Sequence, residues 1–168
     1  VENPALYALV PDDFHGVTPN VMVKPEEEVK VGTPLFVDKK NPEVKFVSPV
    51  SGVVTAVERG ARRKVLNISV RPSTNQEFID FGVKDIEKMS ADEVKATMLE
   101  SGLFGFIKER PFDVVANPNS KPKAIFVSGF DSNPLAGSFE FKLKGDEANF
   151  QAGLNALAKL AKTYLSLS

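Results

Sequence analysis

Two segments carry residue types and spacings that suit ligand chemistry. Ser101-Gly102-Leu103-Phe104-Gly105-Phe106 runs on to Arg110-Pro111-Phe112 after a helical pattern. Ser128-Gly129-Phe130-Asp131-Ser132-Asn133-Pro134-Leu135 leaves the carboxyl end of an apolar strand. A phosphate cradle needs successive small residues whose backbone N–H groups converge on the anion, and in the first segment Leu103, Phe104 and Phe106 take up that space. Open α/β sheets bind ligands beyond strand carboxyl ends. The second segment has that position but no G-x-G-x-x-G, and its Asp131, Ser132 and Asn133 are ordinary turn residues. Both segments read as turn chemistry, so the residues themselves assign no catalytic group and no cofactor-binding set.

The remaining chemistry is narrow. The chain has no cysteine, which excludes disulfides, thiolate zinc sites, iron–sulfur ligation and cysteine nucleophiles within it. Its single histidine, His15, follows Asp12-Asp13-Phe14 and precedes Gly16. It reads as a surface loop residue, and no metal site is expected. Lys39-Lys40, behind Asp38, reads as a solvated, edge-protecting pair. Glu58-Arg59-Gly60-Ala61-Arg62-Arg63-Lys64 sets four cations around one hairpin turn, which suits anionic lipid, a partner or plain solvation.

These residues must be positioned by two kinds of text. Residues 21–57 alternate in short strands between turns of Gly, Pro, Asp and Asn, the grammar of a small twisted β-module. Gly32 supplies a positive φ, Pro34 fixes entry to the next strand, and Asp38 to Pro42 forms a polar hairpin tip. Gly52 allows a bend before Val53 to Val57. Alternation puts Val29, Leu35, Phe46, Val53 and Ile68 in the core of residues 21–70. After Val65–Val70 and the turn 72–75, the period becomes helical. Ser90-Ala91-Asp92-Glu93 is a capping box, Val94 and Met98 share a face, and Gly102 closes the helix. Ala124–Val127 reads as a short buried strand and Phe139–Leu143 as a half-exposed one. A long helix is expected from about Asp146, with Phe150, Leu154, Leu157, Ala161 and Tyr164 on one stripe. Asp146 and Glu147 begin it and Lys159 and Lys162 end it, matching the macrodipole. The expected division is a β domain over 1–75, a connection over 76–89 and the first part of an α/β domain over 90–168.

With 168 residues and 42% hydrophobic content the chain can bury one or two cores. A net charge of −1 argues against a dedicated nucleic-acid binder. No run approaches the roughly 20 apolar residues of a membrane span, and no signal-peptide pattern opens the chain, so the soluble cytoplasm is the default expectation. One strongly buried strand is too little sheet for the last helix, so the α/β part is expected to be incomplete, with further strands beyond Ser168.

The order V-x-x-G-x-x-L-F, D-K, S-P-x-S-G-x-V resembles the barrel-sandwich hybrid of biotinyl and lipoyl carriers, in which a single lysine near the position of Lys39 bears the swinging arm. Here the tip is lengthened by Asn41-Pro42-Glu43 and a second lysine stands beside the first. A broader resemblance covers almost the whole chain: V-x-x-G-x-x-L-F-x-D-K-K-N-P at Val29–Pro42, S-P-V-S-G at Ser48–Gly52, R-P-F at Arg110–Phe112, and A-I-F-V with D-S-N-P-L-A at Ala124–Ala136. By these motifs the chain is similar to the A subunit of the bacterial Na+-translocating NADH:quinone reductase. Members of that family are about twice as long, and the absence of an initiator Met at Val1 fits an excised amino-terminal part.

That resemblance implies a barrel-sandwich hybrid followed by an incomplete Rossmann-like α/β segment. It implies a peripheral subunit on the cytoplasmic face of the inner membrane that docks on the membrane-embedded B subunit and other subunits. The complex couples NADH oxidation and quinone reduction to sodium export, and the subunit would help form the quinone site, with ubiquinone as a substrate of the complex. No covalently bound cofactor and no nucleic-acid partner is expected. The family is a distant relative of the NADH- and flavin-binding subunit of respiratory complex I, whose glycine-rich loop and acidic turn would fall at Gly102–Arg110 and Gly129–Leu135. Bulky Leu103, Phe104 and Phe106 depart from that pattern, so binding of FMN or NADH is not expected. The alternatives are a carrier module, tested by a mass increment on Lys39 or Lys40, and a flavin- or NADH-binding dehydrogenase subunit.

Overall fold

A computed structural model describes residues 4–167. The chain forms two compact units: residues up to Gly82 with Thr97–Ser120, and Val83–Ala96 with Lys121–Ser168. The two units interleave along the chain, since residues 97–120 pack with the β-module.

The first unit begins with seven strands, β1 Tyr7–Leu9, β2 Pro19–Val21, β3 Glu28–Val29, β4 Pro34–Asp38, β5 Lys45–Val47, β6 Gly52–Arg59 and β7 Val65–Pro72. They make two antiparallel sheets, one ordered β1-β7-β6-β3 and the other β2-β4-β5. Helix α1, Ala91–Glu100, leads from Thr97 back into this unit, followed by the hairpin of β8 Lys108–Glu109 and β9 Val114–Val115. Leu35 and Phe36 on β4 are fully buried among Val44, Val54, Ile68 and Val70, and Met98, Leu99 and Ile107 pack against that core. Removing each such side chain from water contributes about 1.5 to 3 kcal/mol.

Of the five expected core residues, Val29, Leu35, Phe46 and Ile68 are buried. The fifth is one residue out of register: Val54 is buried and Val53 only half-buried. Antiparallel partners share a face, so Val54 points inward with Val70 opposite it, whereas Val53 stands opposite Arg71 and Glu28. Gly52 also does something other than bend the chain. It lies within β6, and a Cβ built on it would stand 1.9 Å from the Arg71 carbonyl oxygen, so the residue permits a close backbone approach.

The capping box forms as expected. The Ser90 backbone N–H donates to Glu93 Oε2 at 2.8 Å, and the Glu93 N–H donates to Ser90 Oγ at 3.3 Å. Gly102, at φ 79°, then closes the helix in the left-handed region.

The second unit contains β10 Ile125–Ser128, α2 Phe139–Leu143, α3 Glu147–Leu160 and β11 Thr163–Ser166. β10 and β11 are parallel, from Ile125 opposite Thr163 to Ser128 opposite Ser166, which makes a two-stranded β-α-β arrangement. Three sequence expectations are corrected here. Residues 139–143 are helical, not extended: Ser138 Oγ accepts from the Phe141 N–H, and Phe139 and Leu143 share the half-buried face while Phe141 is exposed. The long helix stops at Leu160, and Tyr164 belongs to β11, because Ala161 is already extended and 163–166 finds a strand partner in β10. The strand at 124–127 is shifted to 125–128 and only half-buried, with Phe126 three-quarters exposed and stacked on Tyr164 at 5.3 Å. Lys159 donates to the carbonyls of Glu87 and Met89, so its charge ties a preceding segment rather than serving the helix dipole alone.

Gly52→Ala should destabilise the chain by about 3 kcal/mol in denaturant melts, since the obstructing atom is backbone and cannot rotate away. A hydrogen bond from the Ser90 backbone and another from its hydroxyl hold the Glu93 carboxyl below its ordinary value of 4.5. Its folded pKa being the lower one, the cap's contribution is complete above the unfolded value and lost as pH falls through the folded one. NMR titration should give a Glu93 midpoint below 4.5 that rises toward it in Ser90→Ala.

Candidate functional site

The first unit holds an apolar cavity of about 400 Å³ between the β4–β5 hairpin, the strand-like segment at 78–81 and the turn after α1. Sequence chemistry explains its shape. Val31 bridges to Phe78 in parallel, the Ile79 N–H donates to the Val31 carbonyl, and Gly32 at φ 95° turns the chain beneath the Phe81 ring. On the other side a 3-10 turn, Leu103–Phe106, follows Gly102. A Cβ at Gly102 would stand 2.8 Å from Val47, and one at Gly105 would stand 2.7 Å from the Phe46 ring, so both glycines let this turn close on β5.

Aromatic rings dominate the wall. Phe46 is stacked on Phe36 at 4.5 Å, Phe14 lies 4.4 Å from Phe46, and Phe106 meets Phe14 edge-on at 5.9 Å. Phe78 and Phe106 remain largely exposed at its edge. The two serine hydroxyls in the lining are spent on backbone: Ser48 Oγ donates to the Val50 carbonyl and Ser101 Oγ to that of Met98. Among the described residues no Lys, Arg or His lines the cavity. Such a wall suits a flat apolar ring and offers nothing to a phosphate.

The candidate loops resolve differently. Of 101–106, Phe104 is buried in the core cluster, while Leu103 and Phe106 are exposed. In 128–135, Asp131 Oδ1 accepts from the Asn133 backbone N–H and side-chain amide, and Ser128 Oγ donates to the Phe130 carbonyl, which is local turn chemistry. His15 is exposed. Among the described residues no group of three or more His, Asp or Glu side chains is arranged to hold a metal ion.

The hairpin tip is more ordered than its composition suggests. Asp38 is buried, and its carboxylate accepts from the backbone N–H groups of Thr18, Lys40 and Asn41 and from Asn41 Nδ2, at 3.1 to 3.3 Å. Lys39 and Lys40 are both exposed on this frame. The sequence reading missed Asp38 as the organiser of the tip, although the D-x-x-N spacing of an Asx-type turn was visible.

A two-sheet β-module carrying an exposed lysine tip, followed by a β-α-β element, defines a barrel-sandwich hybrid joined to an α/β segment. Family comparison agrees: residues 1–73 match the NqrA N-terminal barrel-sandwich hybrid domain and residues 89–168 the NqrA second alpha/beta domain. Curated relatives include the Na(+)-translocating NADH-quinone reductase A subunit of Pseudomonas aeruginosa strain UCBPP-PA14, 36% identical over 94% of this chain. Those of Histophilus somni strain 129Pt and Yersinia pseudotuberculosis serotype O:1b are 35% and 32% identical over 95% of it. The chain belongs to the NqrA family, the A subunits of the Na+-translocating NADH-quinone reductases. It spans 36% of the length of each of these relatives, which therefore exceed the expected twofold length. Among the described residues no helix is long and apolar enough to cross a membrane.

Asp38→Ala should cost about 3 kcal/mol, because it leaves several amide donors without a charged acceptor. Hydrogen exchange should show lost protection at the Thr18, Lys40 and Asn41 amides, with the β6–β7 amides unchanged.

Proposed function

We propose that this chain is the amino-terminal part of the peripheral subunit of a Na+-translocating NADH:quinone reductase, which couples NADH oxidation and quinone reduction to sodium export. In this reading it docks on the membrane-embedded B subunit and other subunits at the cytoplasmic face of the bacterial inner membrane and contributes the apolar cavity to the quinone site. Family membership supports the assembly. The observation that carries the quinone is the cavity: its volume lies in the range of small-molecule sites, its wall is aromatic, and it has no cation for a nucleotide phosphate.

The same reading leaves flavin and nicotinamide to other subunits and assigns no catalytic residue to this chain. Gly105, the only small residue in 103–106, is turned to the Phe46 ring, so its neighbours' side chains stand where a cradle would need bare backbone. Calorimetric titration of the chain with FMN or NADH should give no micromolar constant.

The decisive experiment is photoreactive-quinone labelling of the full-length subunit copurified with its membrane partners. Label should fall on peptides containing Val31–Gly32, Phe46–Pro49 or Phe78–Phe81, be competed by ubiquinone, and decline several-fold in Phe78→Ala and Phe106→Ala. Label confined to other peptides or other subunits would refute the cavity's role.

A further inference from the structure

The turn joining β6 to β7 is built against its own conformational preference. The Lys64 N–H donates to the Ala61 carbonyl and the Gly60 N–H to that of Lys64, closing a tight hairpin with Arg62 and Arg63 at its centre. Both have positive φ, 55° and 60°, the condition of a type I′ turn that Asn-Gly meets with least strain. Arginine at both positions gives up that ease and gains only charge.

That charge is displayed rather than consumed. Lys64 pairs with Asp12, Glu58 is held by Asn67 Nδ2, and Arg59 Nη1 donates to the Arg63 carbonyl, bracing the turn. Among the described residues neither Arg62 nor Arg63 has a carboxylate partner, and both are exposed. Beside them Leu66 is exposed, its side chain lying over Gly60. Unpaired cations beside a part-exposed leucine that packs on Gly60 are the composition of a membrane-surface contact, with headgroup phosphates meeting the guanidinium groups and the open edge of the leucine meeting the interface. An acidic protein surface would take the charge but leave Leu66 unexplained.

We propose that the Arg59–Leu66 turn binds the phosphate headgroups of an anionic phospholipid surface. The inference does not rest on the proposed quinone site or on any partner subunit, since protein-free vesicles test it. The chain should cosediment with mixed phosphatidylcholine–phosphatidylglycerol vesicles, not with phosphatidylcholine alone, and should be released at about 0.5 M salt, where the Debye length is only a few ångströms. The double variant Arg62→Asn with Arg63→Gly relaxes the turn, so its melting temperature should hold or rise while vesicle partitioning falls about tenfold. A merely structural role for the arginines would lower the melting temperature instead. Undiminished binding by this variant, binding independent of anionic lipid, or binding to polyglutamate without binding to vesicles would each overturn the proposal. Should the double variant fail to fold, the lipid and salt dependence of the unaltered chain decides.

Discussion

The stack of Phe36 on Phe46 is the contact around which the first unit is organised. It joins neighbouring strands β4 and β5 through residues that are also cross-strand partners, so one pair serves the hydrogen-bonded ladder and the core together. Phe14 closes on both rings, and Gly105 lacks a side chain because the edge of Phe46 occupies that space. Segments far apart in sequence, around 14, 46 and 105, are thereby held at one place. The apolar cavity is what remains between them once the rings have found each other, and its lack of cations follows from being the flank of a core.

Two turns of the β-module show opposite ways of treating charge. At the β4–β5 tip a buried carboxylate is satisfied entirely from within, and the amides around Asp38 leave it little capacity for anything else. At the β6–β7 turn the backbone accepts positive φ at two arginines whose guanidinium groups meet no carboxylate among the described residues. Local rules are obeyed in the first turn and set aside in the second, and sequences tend to set them aside where a surface is functional. The β4–β5 tip is thus a long, carboxylate-braced loop that carries two exposed lysines.

In the second unit the parallel pairing of β10 with β11 decides the rest. The parallel connection obliges the chain to cross over through α2 and α3 before returning, and Lys159 ties the end of α3 to the carbonyls at 87 and 89. Phe139 meets Phe150 edge-on at 5.4 Å, which is why a segment with strand-like alternation, F-E-F-K-L, settles as a helical turn. Here tertiary contact overrides propensity, as it can over five residues more readily than over fourteen.

Whatever depends on neighbours along the chain could be read from the residues alone. The capping box at Ser90–Glu93, the left-handed closure at Gly102, the positive φ of Gly32 and the inward positions of Val29, Leu35, Phe46 and Ile68 were all legible, because caps, turns and strand alternation are set by chemistry a few residues wide. The family was legible in longer motifs such as D-K-K-N-P. Folding in three dimensions settled who meets whom: which of Val53 and Val54 faces inward, why Gly52 must be bare, that 163–166 is a strand, and that rings from 14, 46, 78 and 106 share one cavity wall. Each depends on a partner tens of residues away, and period-two or period-three patterns carry no information about that partner. A cavity in particular has no sequence signature, since it is the space left between elements whose approach is fixed by long-range packing.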